Sequence, residues 1–408
     1  MLVLVAHALA VVVFVNRYIA GMLLSLLRGR AWDATVEQTP SVTVITPLYN
    51  EGPRIRDTLD SILASEYPAG LLRVICVDDC STDDSYAAAC EVAARDRRLI
   101  VLRNAENLGK RRSIIDAVRR TDSEIIVSID SDVLVDRDAI AQLVKRFVEP
   151  RIAAVGGWVD IRNKHDNWLT RMQTVKYWYA YFAMRNVEWA FRRMLCLSGC
   201  LTAYRREVLV ELEPVLEARA ILGVPIKYGE DRFLTRQIIK AGYLTTITLA
   251  ARCTTPVPAN LGGYFSQQLR WRRSNIVDYT CGLTHIWRLN PLLALHYFAM
   301  FGVLVMYPIV VARSALHGTL VPLLAMHSAV LVLFGLNYRW RTRRWAADQR
   351  VSALAFAPQA LLMCVTYALL TPLALFTLDS TSWETRTTTP GSSSDVAAPS
   401  ARSRRAVS

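Results

Sequence analysis

Hydrophobic and polar positions along the chain fall into two regimes. Residues 2–27, LVLVAHALAVVVFVNRYIAGMLLSLL, are mostly apolar, and roughly 20 such residues at about 1.5 Å rise cover the hydrocarbon core of a bilayer. Further apolar stretches run over 292–312, 316–335 and 353–378. Between the first and the others lies a hydrophilic block of roughly 260 residues, large enough to bury a core of its own. In that block, short β-branched runs (VTVIT at 42–46, RVICV at 73–77, LIVL at 99–102, IIVSI at 125–129) alternate with the stretches 54–65 and 84–95, where apolar residues recur at three and four spacing. This alternation predicts an α/β unit built on a mostly parallel sheet with helices on both faces. Residues 168–194 and the run from Trp271 to about Trp287 mix aromatic and basic side chains. Both read as interfacial helices, with core packing as the other reading of the first.

Composition agrees with a membrane protein. Of 408 residues, 52% are hydrophobic, and the mean hydropathy is +0.22, too apolar for an ordinary soluble enzyme. The first span has neither a basic n-region nor a small-x-small cleavage site, so it reads as an anchor; its Arg17 either faces other helices and the interface or lines a polar path. Arg28 and Arg30 come after that span, and Arg339, Arg341, Arg343 and Arg344 after the third. Positive charge at these ends places the central block in the cytoplasm and the N-terminus outside, giving a multi-pass plasma-membrane protein. The net charge of +13 is concentrated enough at span edges to argue for lipid rather than nucleic acid. Eight cysteines show no CxxC pair and no His/Cys metal spacing, which excludes metal-thiolate chemistry. Pro358 and Pro372 interrupt the last apolar stretch, so a re-entrant or interfacial path, keeping the C-terminal residues inside, is expected there.

In open parallel sheets, ligands bind beyond the carboxyl ends of the strands. Those ends carry Pro47-Leu48-Tyr49-Asn50-Glu51-Gly52, Asp78-Asp79-Cys80-Ser81-Thr82-Asp83 and Asp130-Ser131-Asp132. Ser81 and Asp83 read first as helix caps. Asp130 and Asp132 are different: two crowded carboxylates repel unless a cation or a proton joins them. A Mg²⁺ or Mn²⁺ shared with a diphosphate resolves that repulsion, because these hard ions bind one or two carboxylates and take phosphate oxygens as further ligands. Lys110 and Arg111 suit phosphate contacts or a solvated helix start. Neither a P-loop nor a dinucleotide fingerprint is present.

Taken in order, PLYNEG, VDDCSTDD, GKR, DSD, GED (229–231) and QxxRW (267–271) resemble the processive membrane glycosyltransferases of family two, which include cellulose, chitin and hyaluronan synthases. The closest likeness is to hyaluronan synthases, through GVPIKYGEDRFLT, ARCTTPVP, SQQLRWRRS and the late WETR. That resemblance implies a GT-A (Rossmann-like) α/β domain that uses UDP-sugars with Mg²⁺ or Mn²⁺. It implies that Tyr49 and Asp79, with Glu51 beside them and Lys110 and Arg111 helping, hold the nucleotide sugar, and that Asp130 and Asp132 handle the metal diphosphate. Asp231 takes the place of the general base on the acceptor hydroxyl. Trp271 would give the acceptor sugar an apolar floor, with Ser198, Gly199 and Cys200 around it, while Arg270 meets the pyrophosphate and Gln267 belongs to the same catalytic motif. Anchoring of a surface helix is the other reading of Arg270 and Trp271, and inert packing that of Cys200. Trp383 and Arg386 would gate.

These readings divide the chain into an anchor over 1–30, a cytoplasmic GT-A domain over 40–265, an interfacial QxxRW helix over 266–290, a channel region over 291–380, a gating segment over 381–386 and a disordered tail over 387–408. The leading expectation is hyaluronan synthesis from UDP-GlcNAc and UDP-GlcA onto a growing polysaccharide. The alternative is a chitin-type product from UDP-GlcNAc alone, to which Gly229-Glu230-Asp231 is closer. A single-sugar transferase to a polyprenyl phosphate and a non-enzymatic scaffold are the remaining readings. QxxRW stands against the former; the retained Asp79, Asp130, Asp132 and Asp231 stand against the latter.

Overall fold

The computed structural model describes residues 34–378, except 218–219, 222–223, 227 and 289–290, together with residues 8, 23 and 24. The anchor expected over 2–27 with Arg17, the segment containing Trp383 and Arg386, and the tail lie outside the described residues.

Among the described residues ten strands are present: β1 Val42–Leu48, β2 Leu72–Asp78, β3 Leu99–Arg103, β4 Ile125–Ser128, β5 Leu134–Val135, β6 Ile152–Ile161, β7 Thr202–Arg205, β8 Ala220–Ile221, β9 Val224–Pro225 and β10 Leu244–Thr255. Eight of them form one sheet in the order β3-β2-β1-β4-β7-β6-β10-β5, and β8 and β9 form a small ribbon. β1 and β6 are buried along their whole length, and β1 accordingly reads as a continuous apolar and β-branched run rather than an alternating one. Helix α1 (Ile55–Leu63) buries Ile55, Thr58, Leu59 and Ile62, and α2 (Ser85–Ala93) buries Ser85, Ala88, Ala89 and Val92. Both are the one-face stripe that three and four spacing prescribes.

The sheet departs from the mostly parallel one expected. β1 to β4 are parallel, but β7 runs antiparallel to both β4 and β6, and β5 runs antiparallel to β10. β7 is only four residues, TAYR, too short to show a period. In register, Leu48 pairs with Asp78 and Ser128 with Ile45. The loops after β1, β2 and β4 therefore open on one edge of the sheet.

Helices α3 (Lys110–Val118), α4 (Ala139–Val144), α7 (Arg206–Glu217) and α8 (Glu230–Lys240) complete the α/β unit. Between β6 and β7 the chain forms α5 (Trp168–Tyr179), a wider π-type turn (Ala180–Met184) and α6 (Asn186–Ala190). α5 is not a surface helix. It buries Leu169, Thr170, Met172, Gln173, Thr174, Val175, Trp178 and Tyr179, positions that cover every side of the helix, so core packing is the reading that holds. α9 (Leu261–Gly282) starts ten residues ahead of Trp271, because Asn260 caps it there by accepting from Gly263 N at 2.8 Å. Gln267, Arg270 and Trp271 thus stand mid-helix, and the boundary expected at 265/266 falls inside α9.

The three later apolar stretches are helices: α10 (Pro291–Leu316), α11 (Leu320–Thr342) and α12 (Pro358–Leu375). All three are long and apolar enough to cross a membrane. α10 and α11 form a hairpin. α12 is fastened to the α/β unit at both ends. Gln359 Nε2 donates to Met172 O at 3.2 Å, Arg273 Nε to Thr377 Oγ1 at 3.0 Å, and Tyr228 Oη to Leu378 O at 2.8 Å. The chain thus leaves α12 beside the loop preceding α8.

The start of α5 rests on a reciprocal cap: Asn167 Oδ1 accepts from Leu169 N and Thr170 N, and Thr170 Oγ1 accepts from Asn167 N. Asn167→Ala is expected to lower stability by about 1 kcal/mol, read as a lower urea midpoint in detergent, while Asn167→Asp keeps most of it; equal midpoints for all three proteins would show that the cap contributes nothing.

Candidate active site

The loops at the sheet edge are tied to one another before any ligand is considered. Ser81 Oγ accepts from Asn50 N at 3.0 Å, Ser85 Oγ from Glu51 N at 2.7 Å, and Asp83 Oδ2 from Gly52 N at 2.9 Å. Asp83 also accepts from Ser85 N at 3.0 Å, although the N-cap position of α2 is Asp84, whose side chain makes no cap; Ser81 braces the β1 loop that carries Tyr49. Glu51 is buried and accepts from Ser131 Oγ at 3.3 Å, joining that loop to the Asp130–Asp132 turn. Asp79 is buried and its carboxylate is engaged: Oδ1 accepts from Asn104 Nδ2 (2.8 Å) and Leu108 N (2.9 Å), and Oδ2 from Gly109 N (2.8 Å). It thereby fixes the 104–109 loop and the start of α3, where Lys110 stands.

Lys110 is the hub. Its Nζ lies 2.5 Å from Asp130 Oδ1 and 2.9 Å from Glu230 Oε1. Burial works against its charge, but the two carboxylates outweigh that and hold its pKa well above the ordinary lysine value. Burial likewise pushes Glu230 upward, yet the Lys110 ammonium takes it down to about 2. The neighbouring carboxyl goes the other way: burial, and then the charge of Glu230, raise Asp231 above the usual aspartate range. Arg232 N donates to Asp231 Oδ1 at 2.8 Å, and the Cys196 thiol lies 3.9 Å from Oδ2. One acid that stays ionised and one with raised proton affinity is the arrangement that separates an electrostatic role from a proton-accepting one.

Helix α9 supplies the opposite wall. Gly229 has φ of +66°, and a Cβ there would collide with Ser274 Oγ, so α8 and α9 touch across a residue that only glycine fills. The Arg236–Asp278 pair, 2.9 Å and nearly buried, clamps the same two helices. Trp271 lies 6.2 Å from the Tyr177 ring. Lys176 Nζ is 5.7 Å from the rings of both Trp271 and Tyr264 and donates to Gln268 Oε1 at 2.7 Å; burial, then Arg272, bring its pKa down to about 8. The Tyr177 phenol is raised far above its usual value by burial and by neighbours that include Asp132, with Arg270 pulling the other way. Tyr177 is thus where the acidic turn and the QxxRW helix meet.

Ser198, Gly199 and Cys200 precede β7. Cys200 N donates to Ser198 Oγ at 3.3 Å, and burial, with Asp130 and Asp132 nearby, raises the Cys200 thiol. A Cβ on Gly199 would lie 2.6 Å from Lys110 Nζ and 3.4 Å from both Asp130 oxygens, so this glycine keeps the space in front of Asp130 clear. Among the described residues no group of three or more His, Cys, Asp and Glu gathers as a cage. Two hard carboxylates beside an open cradle fit an ion whose remaining ligands come from phosphate and water.

Of the residues singled out in the sequence, the structure brings together Lys110, Asp130, Gly199, Cys200, Asp231, Arg270 and Trp271, with Asp132 acting on Tyr177 and Cys200. Arg111 donates to Ile226 O at 3.1 Å and lines the same cavity as Lys110, Glu230 and Asp231. Sequence reasoning misses Glu230, Lys176, Tyr177 and Cys196. Glu230 is visible inside GED next to Asp231; the others are placed by helix packing that no local pattern reports.

Residues 43–213 match the family described as glycosyl transferase family 2. An N-acetylglucosaminyltransferase of Azorhizobium caulinodans is 36% identical over 247 residues, 60% of this chain and 62% of that protein. One of Sinorhizobium fredii is 32% identical over 354 residues, 85% of this chain and 84% of that protein. A solved mannosyltransferase from Pyrobaculum calidifontis, in complex with GDP-Man and Mn²⁺, matches with a TM-score of 0.56 at 23% identity, covering 87% of this chain and 99% of that one. The chain belongs to glycosyltransferase family 2. It has the GT-A fold, an α/β mixed sheet followed by three apolar helices. It spans about three fifths of the length of the Azorhizobium relative, 62%.

Removing the hub cation leaves two carboxylates facing each other. Lys110→Met is expected to cost about 3–5 kcal/mol at pH 7, the usual effect of breaking one side of a buried pair. Because Glu230 is lowered to about 2 in the folded protein, against about 4.3 when unfolded, its contribution is full above pH ~4.3 and is lost as pH falls through ~2. In Lys110→Met, protonation relieves repulsion instead, so the variant regains stability on acidification while the wild type loses it. Denaturant titrations between pH 7 and 3 with parallel trends for the two proteins would contradict the pairing.

Proposed function

We propose that this chain transfers N-acetylglucosamine from UDP-GlcNAc, with inversion, onto the end of a growing GlcNAc chain at the membrane. One observation carries the substrate: the relative matched over 84% of its length is named N-acetylglucosaminyltransferase. Gly229-Glu230-Asp231, closer to the chitin-type pattern, agrees with that reading. Hyaluronan, the leading expectation from the resemblance, requires UDP-GlcA as well, and nothing in the relatives' names carries it. One feature favours an acidic acceptor, the Lys176 cation beside Trp271, so hyaluronan stands as the second reading.

Asp231 is the general base on the acceptor hydroxyl, its raised proton affinity bringing it nearer to operating pH. Glu230 and Lys110 keep that carboxyl in place and maintain the electrostatic balance around it. Trp271 and Tyr177 give the acceptor sugar apolar faces to stack on, and Arg270 faces the diphosphate, where negative charge builds. Asp130 and Asp132 are the residues that would hold Mg²⁺ or Mn²⁺, which when bound neutralises the departing UDP. Tyr49 and Glu51, on loops braced by Ser81 and Ser85, flank the nucleotide. α10 and α11 seat the domain on the bilayer, with the domain on the cytoplasmic side.

Purified chain with Mn²⁺ or Mg²⁺ and radiolabelled UDP-GlcNAc is expected to incorporate label without UDP-GlcA, into product that chitinase degrades. A requirement for both donors, with sensitivity to hyaluronidase, would replace this reading by the second. Asp231→Asn is expected to lower kcat by about 10²–10⁴ while leaving UDP affinity within a few-fold. Wild-type kcat should fall on acidification at a pH above the ordinary aspartate value, since Asp231 must be ionised to accept a proton. Unchanged turnover in Asp231→Asn would remove Asp231 from this role.

A further inference from the structure

A pocket lies where the end of α11 meets α5. It has a volume of about 360 Å³ and is lined by Trp178, Phe182, Trp340, Arg341, Arg343, Arg344 and Trp345. Three guanidinium groups in one cavity are an anion site: their forks match phosphate oxygens, and they tolerate desolvation better than ammonium groups. No carboxylate pairs with Arg343 or Arg344 among the described residues. The Arg343 guanidinium lies 5.4 Å from the Trp340 ring centroid, so an aromatic face holds that cation without neutralising it; Arg341 donates to Asn337 Oδ1 at 3.2 Å. The wall of the pocket adds an orphan donor. Trp178 is 3% exposed, and its Nε1–H has no hydrogen-bond partner, although a buried polar group ordinarily has one.

The surroundings of the pocket narrow the class of anion. Arg341, Arg343 and Arg344 stand at the end of α11, a helix long and apolar enough to cross a bilayer. Trp340, Leu336 and Leu333 are 55%, 61% and 56% exposed. Their spacing of four and three puts them on one stripe of α11 that leads away from the pocket. A phosphate-sized basic cavity continuous with an exposed apolar stripe fits an amphiphile whose head is anionic. We propose that this pocket binds the phosphate of an anionic phospholipid, with the acyl chains lying along Leu336 and Leu333.

The pocket also touches the catalytic sheet. Trp345 lies 5.6 Å and Phe182 5.2 Å from Trp158 of β6, and the Arg252 guanidinium of β10 lies 4.5 Å from that same ring. Phe182 stacks on Trp178 at 5.3 Å. An occupied pocket would therefore hold α11, α5 and the sheet together from the bilayer side.

The test uses the full chain in vesicles of phosphatidylcholine with or without phosphatidylglycerol, with brominated acyl chains quenching tryptophan fluorescence. Brominated phosphatidylglycerol is expected to quench more than brominated phosphatidylcholine at equal mole fraction, and Trp340→Phe removes most of the difference. In the triple variant Arg341→Gln, Arg343→Gln, Arg344→Gln the phosphatidylglycerol fraction for half-maximal quenching should rise about tenfold or more, in line with the usual contribution of three basic residues near an anionic surface. Arg313→Gln, at the other end of the α10–α11 hairpin, should change nothing. Equal quenching by the two lipids, or a triple variant that keeps the preference, overturns the proposal. So does competition by millimolar glycerol phosphate, which would make this a site for a soluble phosphate. None of these readouts depends on which sugar is transferred.

Discussion

The site depends on a single buried ammonium. Lys110 comes from the start of α3, Asp130 from the end of β4 and Glu230 from the start of α8, and the three meet within 2.9 Å. Two carboxylates this close and this poorly solvated would otherwise drive each other to take up protons. With the cation beside it Glu230 stays ionised, while burial and then the charge of Glu230 raise Asp231. The same contact fixes the position of α8 relative to the sheet. Gly229 and the Arg236–Asp278 pair then fix α9 relative to α8, so the placement of Trp271 traces back through three short contacts to Lys110.

Much of this arrangement is legible in the chain. The parallel half of the sheet, its first two helices and the apolar helices each announce themselves by their period, because each is long and meets one continuous neighbour. The acids after β2 and β4 are visible as well, since carboxylates at strand ends have few other uses. Features that depend on distant register are not legible. β7 is four residues and reverses direction; α5 looks amphipathic in composition yet is covered all round; Lys176 and Tyr177 earn their place only through the helix they pack against.

Asp79 shows why a motif residue need not act on the ligand directly. Its carboxylate is filled by three donors from residues 104–109, so its effect on the site runs through the loop that presents Lys110. Glu230 shows the converse. It looks like the dispensable middle of a three-residue motif, but it is one of the two partners that allow the lysine to stay charged where it is buried.

The continuity of α9 has a consequence for how the gene can change. At roughly 100° per residue, Gln267, Arg270 and Trp271 share one side of an unbroken 22-residue rod pinned by Gly229 below and by Arg236 above. A codon gained or lost between Trp271 and Ser274 would swing all three relative to those two contacts at once, with no loop inside the helix to absorb the slip. Length variation in this enzyme is therefore confined to the turns on either side of that rod, and divergence within it has to proceed by replacement alone.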